Sequence, residues 1–243
     1  MGAFLTLVKK DNKKRRKVMN TRNIKEYTRI PIEAYEYFRL KDLYLVAGMY
    51  LLAPYTEGQN YTRTDTTIRQ LADLTGVKED YIKDSFLPKV KRSGYILCET
   101  RQVGYREKRN VYTMPYPLTN YRIVRKELFG DNSLTPDEKG FMISLYCLCV
   151  NNEFRFDFNQ RETFAKLSMT KNTYKKYENA LMDKGVLWTH CNSPLALISL
   201  EHFEAKVLMY AHLGFTTWID KVIDYEPTDE EIDTFNSYLE CAA

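Results

Sequence analysis

The chain has 243 residues, 44% of them hydrophobic, a composition typical of a globular protein and unlike that of a disordered one. The longest apolar run, residues 43–54, is too short to cross a bilayer, and the five cysteines include no C-x-x-C pair that would indicate a metal site. We therefore expect a soluble, cytoplasmic protein of one or two domains that has no metal or other cofactor.

Charge is distributed unevenly along the chain, although the net charge is only +4. Residues 9–17 contain seven Lys or Arg and one Asp, whereas residues 220–243 contain eight acidic residues and one Lys. A basic arm at residues 1–26 favours a polyanion partner, and a disordered solubilising tail is the alternative. The candidate phosphate contacts in the arm are Lys13, Lys14, Arg15 and Arg16.

The helices and strands of the first unit, residues 27–117, are predicted from the spacing of apolar residues and from the positions of glycine and proline. In chain order the pattern predicts a helix over 41–53, a strand over 60–64, a helix from 68 capped by Thr66 or Thr67, a helix over 77–92, and strands over 95–100 and 110–114. Gly76 supplies the turn between the second and third helices, and Pro88 predicts a kink in the third. The inward positions of this third helix are predicted to be Ile82, Phe86 and Val90, which are spaced by four. The polar segment 101–109 is expected to form the tip of a hairpin.

The second unit, residues 118–200, repeats this order. Its predicted elements are a helix from Thr135, a strand over 153–158, helices over 160–167 and 170–184, and strands over 186–190 and 195–200. Thr135 is expected to cap its helix, with Pro136 in the first turn. The inward positions of the helix over 170–184 are predicted to be Tyr174, Tyr177 and Leu181. Residues 201–243 are predicted to form a helical segment with the acidic tail. The sequence leaves open whether this segment packs on the second unit or mediates contacts in a homodimer.

Residues 93 positions apart match in several places, which indicates an internal duplication. Arg29 corresponds to Arg122, Tyr81 to Tyr174, and Gly94 to Gly185 after a two-residue slip. Identity between the units is low, so chance similarity of two helical units is the alternative.

Each unit has the order of elements found in winged helix-turn-helix domains, and both units resemble that family. The resemblance is carried in the first unit by Ile68, Leu71, Ala72, Leu74 to Val77, Tyr81, Ile82 and Gly94 to Ile96, and in the second by Phe164, Ala165, Leu167, Tyr174 and Gly185 to Leu187. The second unit departs from the pattern, since Met169 stands where the first has Gly76. The expected fold is α+β, mainly α, with two winged-helix domains in tandem and a helical C-terminal extension. By architecture, such a chain resembles plasmid and phage replication initiators.

The resemblance implies that the third helix of a unit enters the DNA major groove and that the hairpin wing follows the backbone. In the second unit, one face of this helix has side chains that can contact phosphates and bases. These are Lys171, Asn172, Lys175, Lys176 and Asn179. An ordinary solvated helix face is the alternative.

The first unit fits a groove-binding helix less well, because Asp80 and Asp84 would repel phosphates. Its cations lie at the end of that helix and along the predicted wing, where they are expected to grip the DNA backbone. They are Lys91, Arg92, Arg101, Arg106, Lys108 and Arg109. The alternative is that these cations only keep an exposed hairpin tip soluble.

Enzymatic motifs are missing from the sequence: there is no phosphate-binding G-x-x-x-x-G-K-[ST] loop, and the three His form neither H-x-H nor H-E-x-x-H. We expect a non-enzymatic, double-stranded-DNA-binding protein, first as a replication initiator or replisome organiser of a plasmid, phage or mobile element. A transcriptional regulator with the same surface is the second hypothesis. The third is a protein-binding scaffold that uses Asp80, Asp84 and the acidic tail. Replication or transcription proteins are candidate partners of the C-terminal segment.

Overall fold

The computed structural model describes residues 25–54, 59–104, 107–116, 119–149, 155–156, 160–189, 196–198 and 203. The first unit contains β1 (Tyr27–Pro31), α1 (Ala34–Tyr37), α2 (Lys41–Leu52), β2 (Tyr61–Thr64), α3 (Ile68–Thr75), α4 (Glu79–Tyr81), a π-helical turn (Ile82–Phe86), α5 (Leu87–Ser93), β3 (Leu97–Gly104) and β4 (Glu107–Pro115). The second contains β5 (Tyr121–Arg125), α6 (Glu127–Gly130), α7 (Pro136–Leu148), β6 (Arg155–Phe156), α8 (Gln160–Lys166), α9 (Lys171–Asp183), β7 (Leu187–Thr189) and β8 (Ala196–Ile198). The mixture of helices and small antiparallel sheets is an α+β architecture, as predicted.

The centre of the fold is the pair of helices α2 and α7, which pack against each other. All residues of α2 from Asp42 to Leu51 are buried, and so are all residues of α7 from Glu138 to Leu148. A helix that is buried on every side belongs to the core of the whole molecule. Gly140 allows the close approach, because a Cβ at this position would lie 1.8 Å from the carbonyl oxygen of Leu40. Within the described residues, no helix is long and apolar enough to cross a membrane.

In the first unit, α3 and the following helix form a helix-turn-helix. The Thr67 side chain accepts a hydrogen bond from the backbone of Gln70, and the Gln70 side chain accepts one from the backbone of Thr67, so a capping box begins α3. Gly76 ends the helix in a left-handed conformation with φ of 70°. Both predictions are confirmed, with Thr67 and not Thr66 as the N-cap.

The predicted disturbance around Pro88 takes the form of a π-helical turn, which lies immediately before α5. Proline lacks an N–H and its ring crowds the carbonyl four residues earlier. A π turn before the proline widens the helix there and can relieve this conflict. The continuous segment α4, π turn and α5 keeps Ile82, Phe86 and Val90 buried, as predicted.

Each unit has a three-stranded antiparallel sheet in which the last strand along the chain lies in the middle. The strand order is β2-β4-β3 in the first unit and β6-β8-β7 in the second. The hairpin of β3 and β4 is longer than predicted. Arg101 pairs with Arg109 within the ladder, and the strands continue to Gly104 and Glu107. The expectation that 101–109 forms a loop is therefore wrong, because cross-strand pairing extends the strands through this polar segment.

An antiparallel pair of strands that the sequence did not predict joins the two units. β1 pairs with β5, with Thr28 opposite Val124 and Ile30 opposite Arg122. Arg122 is buried, and its Nε donates a hydrogen bond of 3.0 Å to the carbonyl of Tyr146 near the end of α7. A cation at this end of a helix satisfies free carbonyls and complements the helix dipole.

The two units follow the same order of elements, but the 93-residue offset does not describe their register. In β1 and β5 the buried positions Ile30 and Val124 lie 94 apart, so the predicted equivalence of Arg29 with Arg122 joins opposite faces of the strands. In the third helices, the buried residues Ile82 and Tyr174 lie 92 apart. After the π turn the offset falls to 91, because this turn holds one residue more than an α-helical turn.

The predicted C-terminal helices lie outside the described residues, apart from Phe203. The ring of Phe203 is buried and stacks on Tyr146 of α7, with centroids 4.1 Å apart. At this residue, the segment packs on the second unit.

Candidate nucleic-acid interface

The third helix of the second unit, α9, begins at a clear N-cap. The Thr170 hydroxyl accepts a 3.3 Å hydrogen bond from the backbone N–H of Thr173. Tyr174 and Leu181 are buried and Tyr177 is half-buried, as their spacing predicted. The ring of Phe141 on α7 meets Tyr174 edge-on at 5.5 Å between centroids, so the central helix fixes the orientation of α9.

The outer face of α9 presents four of the five predicted DNA-contacting side chains to solvent. Lys171, Asn172, Lys176 and Asn179 are exposed. Lys176 lies over the ring of Tyr177, with Nζ 5.3 Å from the ring centroid, a contact that an exposed lysine can leave at small cost. Asn172 and Asn179 lie on the same face of the helix, two turns or about 10 Å apart, which is the distance spanned by about three base-pair steps.

Lys175, the fifth predicted residue, is held by a carboxylate that was not predicted to lie there. Its Nζ lies 3.3 Å from Oε2 of Glu178, a residue of which only 1% of the side chain is exposed. Tyr174 donates a hydrogen bond to Glu178 and accepts one from Thr163 on α8. Burial, then the charge and hydrogen bond of Glu178, raise the pKa of Tyr174. These contacts link both helices of the second helix-turn-helix through its interior.

The turn between α8 and α9 corrects the predicted alignment of Met169 with Gly76. Ser168 has φ of 50° and Gly76 has φ of 70°, so Ser168 holds the equivalent left-handed position. The guanidinium of Arg39, from the first unit, donates a 2.7 Å hydrogen bond to the carbonyl of Ser168. The turn is therefore kept without glycine, and the first unit supports it from outside.

In the hairpin of the first unit, two predicted phosphate contacts stand directly opposite each other. Arg101 and Arg109 form a cross-strand pair, and each has an acidic neighbour. Arg101 Nη2 lies 2.9 Å from Glu99 Oε2, and Arg109 Nη1 lies 3.3 Å from Asp65 Oδ2. Exposed ion pairs of this kind contribute little free energy, so a phosphate can replace either carboxylate.

The cations Lys91 and Arg92 are exposed in the last turn of α5. Arg92 Nε donates a 3.3 Å hydrogen bond to the carbonyl of Pro88. Their position at the negative end of the helix dipole stabilises the helix whether or not they also meet a phosphate.

The first unit's third helix has an acidic outer surface, as its sequence indicated. Asp80 and Asp84 are exposed there. In the 92-residue register they correspond to Asn172 and Lys176 of α9. The two helices therefore present surfaces of different charge at equivalent positions.

Several predicted contacts cannot be placed on this surface. Lys13, Lys14, Arg15 and Arg16 of the arm and Arg106 of the hairpin lie outside the described residues. Lys108 lies within β4.

Each unit contains an ion pair between its central helix and the end of its third helix that was not predicted. Lys89 Nζ lies 2.6 Å from Asp42, which also accepts a 2.7 Å hydrogen bond from the Tyr81 hydroxyl. Lys184 Nζ lies 2.7 Å from Glu138. Burial alone would raise the pKa of Glu138, but hydrogen bonds from Lys184 and Thr135 outweigh burial and lower it. The sequence feature that could have indicated these ion pairs is an acidic residue in the first turn of both α2 and α7.

No group of three or more metal-binding side chains occurs among the residues described. Comparison of the chain with protein-family models, with curated proteins and with solved structures finds no match.

Proposed function

We propose that this chain is a non-enzymatic, double-stranded-DNA-binding protein built from two winged helices in tandem by internal duplication. The observation that carries the proposal is the face of α9, the second helix of a helix-turn-helix, which presents two exposed amides and two exposed lysines and is followed by a β-hairpin. The repeated order of elements, with the same strand order in both sheets, supports the duplication.

The two units have different roles in this proposal. The second unit reads bases through Asn172 and Asn179, since an asparagine amide can form two hydrogen bonds to adenine. The first unit grips phosphates through its hairpin, where Arg101 and Arg109 stand opposite each other. Asp80 and Asp84 keep its third helix out of the groove by charge repulsion. Linking the two contacts in one chain allows each to be weak by itself.

The binding experiment measures the affinity of the full chain for duplex DNA over a range of salt concentrations. If about six cations meet phosphates, log affinity should fall against log salt with a slope near −5. Arg101→Ala and Arg109→Ala should weaken binding to all sequences about equally. Lys78→Ala removes an exposed cation outside the proposed surface and serves as the charge-matched control. Binding that does not depend on salt would contradict the proposal.

Base reading is tested separately, on the preferred site found by selecting bound fragments from random duplex DNA. Asn172→Ala and Asn179→Ala should each cost about 1–3 kcal/mol on that site and little on random DNA. If the site preference is unchanged in both variants, α9 is not the reading helix.

The biological role that we propose is replication initiation or replisome organisation for a plasmid, phage or mobile element, by the likeness of tandem architecture alone. Repeated copies of the selected site at an origin would support this role. A single site within the protein's own promoter would instead support transcriptional regulation.

Protein binding is a second candidate function, favoured by one observation. The exposed Asp80 and Asp84 give the first unit's third helix an acidic surface that suits a basic partner. Two results together would favour this function. The chain would not bind duplex DNA at low salt, and it would bind a protein partner that the double variant Asp80→Asn/Asp84→Asn no longer binds.

A further inference from the structure

Glu178 occupies a core position of α9, where a charged residue is unexpected. In the corresponding position of the first unit, 92 residues earlier, the buried residue is Phe86. Burying a carboxylate is costly unless hydrogen bonds and a counter-charge compensate it. Sites where a protein departs from apolar core packing are where functional constraints are expected.

The partners of Glu178 show what the carboxylate does. It accepts a hydrogen bond from the Tyr174 hydroxyl, which is itself fixed by Thr163. Its Oε2 lies 3.3 Å from the Lys175 ammonium, while 41% of the Lys175 side chain is exposed. One end of the ion pair is thus immobile within the core and the other reaches the helix surface.

This arrangement limits where Lys175 can reach. A free lysine is a flexible point charge that can follow any phosphate. An ammonium has three donors, so Lys175 can give one to Glu178 and still offer two at the surface. On the helix, Lys175 is three residues after Asn172 and four before Asn179, in line with both. The acceptors on the major-groove edge of guanine suit a lysine at such a place.

We propose that Glu178 is a positioning residue that holds Lys175 for contact with a guanine and withholds it from the DNA phosphates. This inference rests on the proposed function, because it requires α9 to lie in the major groove. It assigns Lys175 to base reading, in contrast to Lys176 beside it, which has no carboxylate partner among the described contacts and is free to meet phosphate.

The test uses the full chain with the preferred duplex, the same duplex substituted at each base pair, and random duplex, from 0.05 to 0.3 M salt. Lys175→Met should leave the salt slope on random duplex unchanged and reduce the preference at one G·C pair about tenfold. Lys176→Met is the matched control and should make the slope shallower by about 0.9, without changing any base preference.

Glu178→Gln keeps the size of the side chain and releases Lys175. The slope of log affinity against log salt should become steeper by about 0.9 in this variant. The ratio of its affinity for random duplex to that of the unsubstituted chain should therefore grow about fivefold as salt falls from 0.3 to 0.05 M. The preference at the same G·C pair should fall. The double variant Glu178→Gln/Lys175→Met should return to the original slope.

A shallower slope for Lys175→Met would show that Lys175 already contacts phosphate, and would overturn the inference. An unchanged slope for a folded Glu178→Gln protein would do the same. If thermal melting shows that Glu178→Gln does not fold, the comparison of Lys175→Met with Lys176→Met decides alone. If the unsubstituted chain shows no salt-dependent duplex binding, the proposed function fails together with this inference, an outcome distinct from the other two.

Discussion

Replacing Gly140 by alanine should separate the two central helices. In an exposed helix, Gly→Ala stabilises by about 1 kcal/mol, because alanine loses less backbone entropy. Here the new Cβ would lie 1.8 Å from the carbonyl oxygen of Leu40 and 2.1 Å from its carbonyl carbon. These are backbone atoms, so no side chain can turn away and one helix must move by more than 1 Å to restore a contact near 3.2 Å.

The cost of such overpacking in a core is about 1–3 kcal/mol, and a clash with backbone belongs at or above the upper end. After subtracting the gain in helix propensity, we expect Gly140→Ala to lower the free energy of unfolding by about 2 kcal/mol. For a chain of this length that corresponds to a fall in Tm of about 4–8 °C.

The assay is urea and thermal unfolding of the full chain, with Gly130→Ala as the control. A Cβ at Gly130, the last residue of α6, would meet no atom within 4 Å, so this variant should melt at or slightly above the original temperature. If Gly140→Ala melts no lower than Gly130→Ala, the close packing of α7 against Leu40 is wrong.

Two further predictions concern backbone strain and a buried charge. Ser168→Gly should stabilise the chain by about 0.5 kcal/mol, because φ of 50° is unfavourable for serine. Gly76→Ser, at the matching turn of the first unit, should destabilise it by about 1 kcal/mol. Urea unfolding of both variants checks the sign of each change. Lys139 is 4% exposed, with Nζ 3.4 Å from the Tyr44 hydroxyl, and burial lowers its pKa from 10.5, although the charge of Asp131 acts in the opposite direction. Between the lowered pKa and about 10.5 the unfolded chain binds more protons, so stability should rise with pH across that window. Lys139→Met should remove this rise and stabilise the protein by about 1 kcal/mol near pH 7; an unchanged pH profile would show that Lys139 is not the group responsible.

Local chemistry made the helices and caps predictable. Thr67 and Thr135 each cap a helix, and Gly76 ends one, because these residues satisfy backbone groups within a few positions of themselves. The inward residues of α9 were likewise readable from their spacing.

Contacts between distant segments were not predictable in the same way. β1 and β5 each have only five residues, and nothing within either one specifies the other as its partner. The approach of Gly140 to Leu40 depends on how two units meet, which helical periodicity does not encode. The single 93-residue offset between the units failed because their spacing changes along the chain, from 94 in the strands to 92 and then 91 in the third helices. The π turn accounts only for the last of these steps.

Part of the candidate site was predicted and part was missed. The exposed positions of Asn172 and Asn179 followed from the amphipathic pattern of α9, and their role in DNA binding stays a prediction. Glu178 was missed because its charge suggested a solvated position, whereas the adjacent turns bring Tyr174 and Lys175 to its carboxylate.

The antiparallel pairing of β1 with β5 is the arrangement that two identical polypeptides would adopt around a two-fold axis. In such a homodimer a single gene encodes both surfaces, and every mutation occurs twice. When both halves belong to one polypeptide, selection acts on each half separately. Asp84 and Lys176 illustrate this freedom, since an acidic and a basic side chain hold corresponding places on two helices of the same molecule. A lineage with this architecture can therefore change the binding surface of one helix while the surface of the other evolves for a different partner.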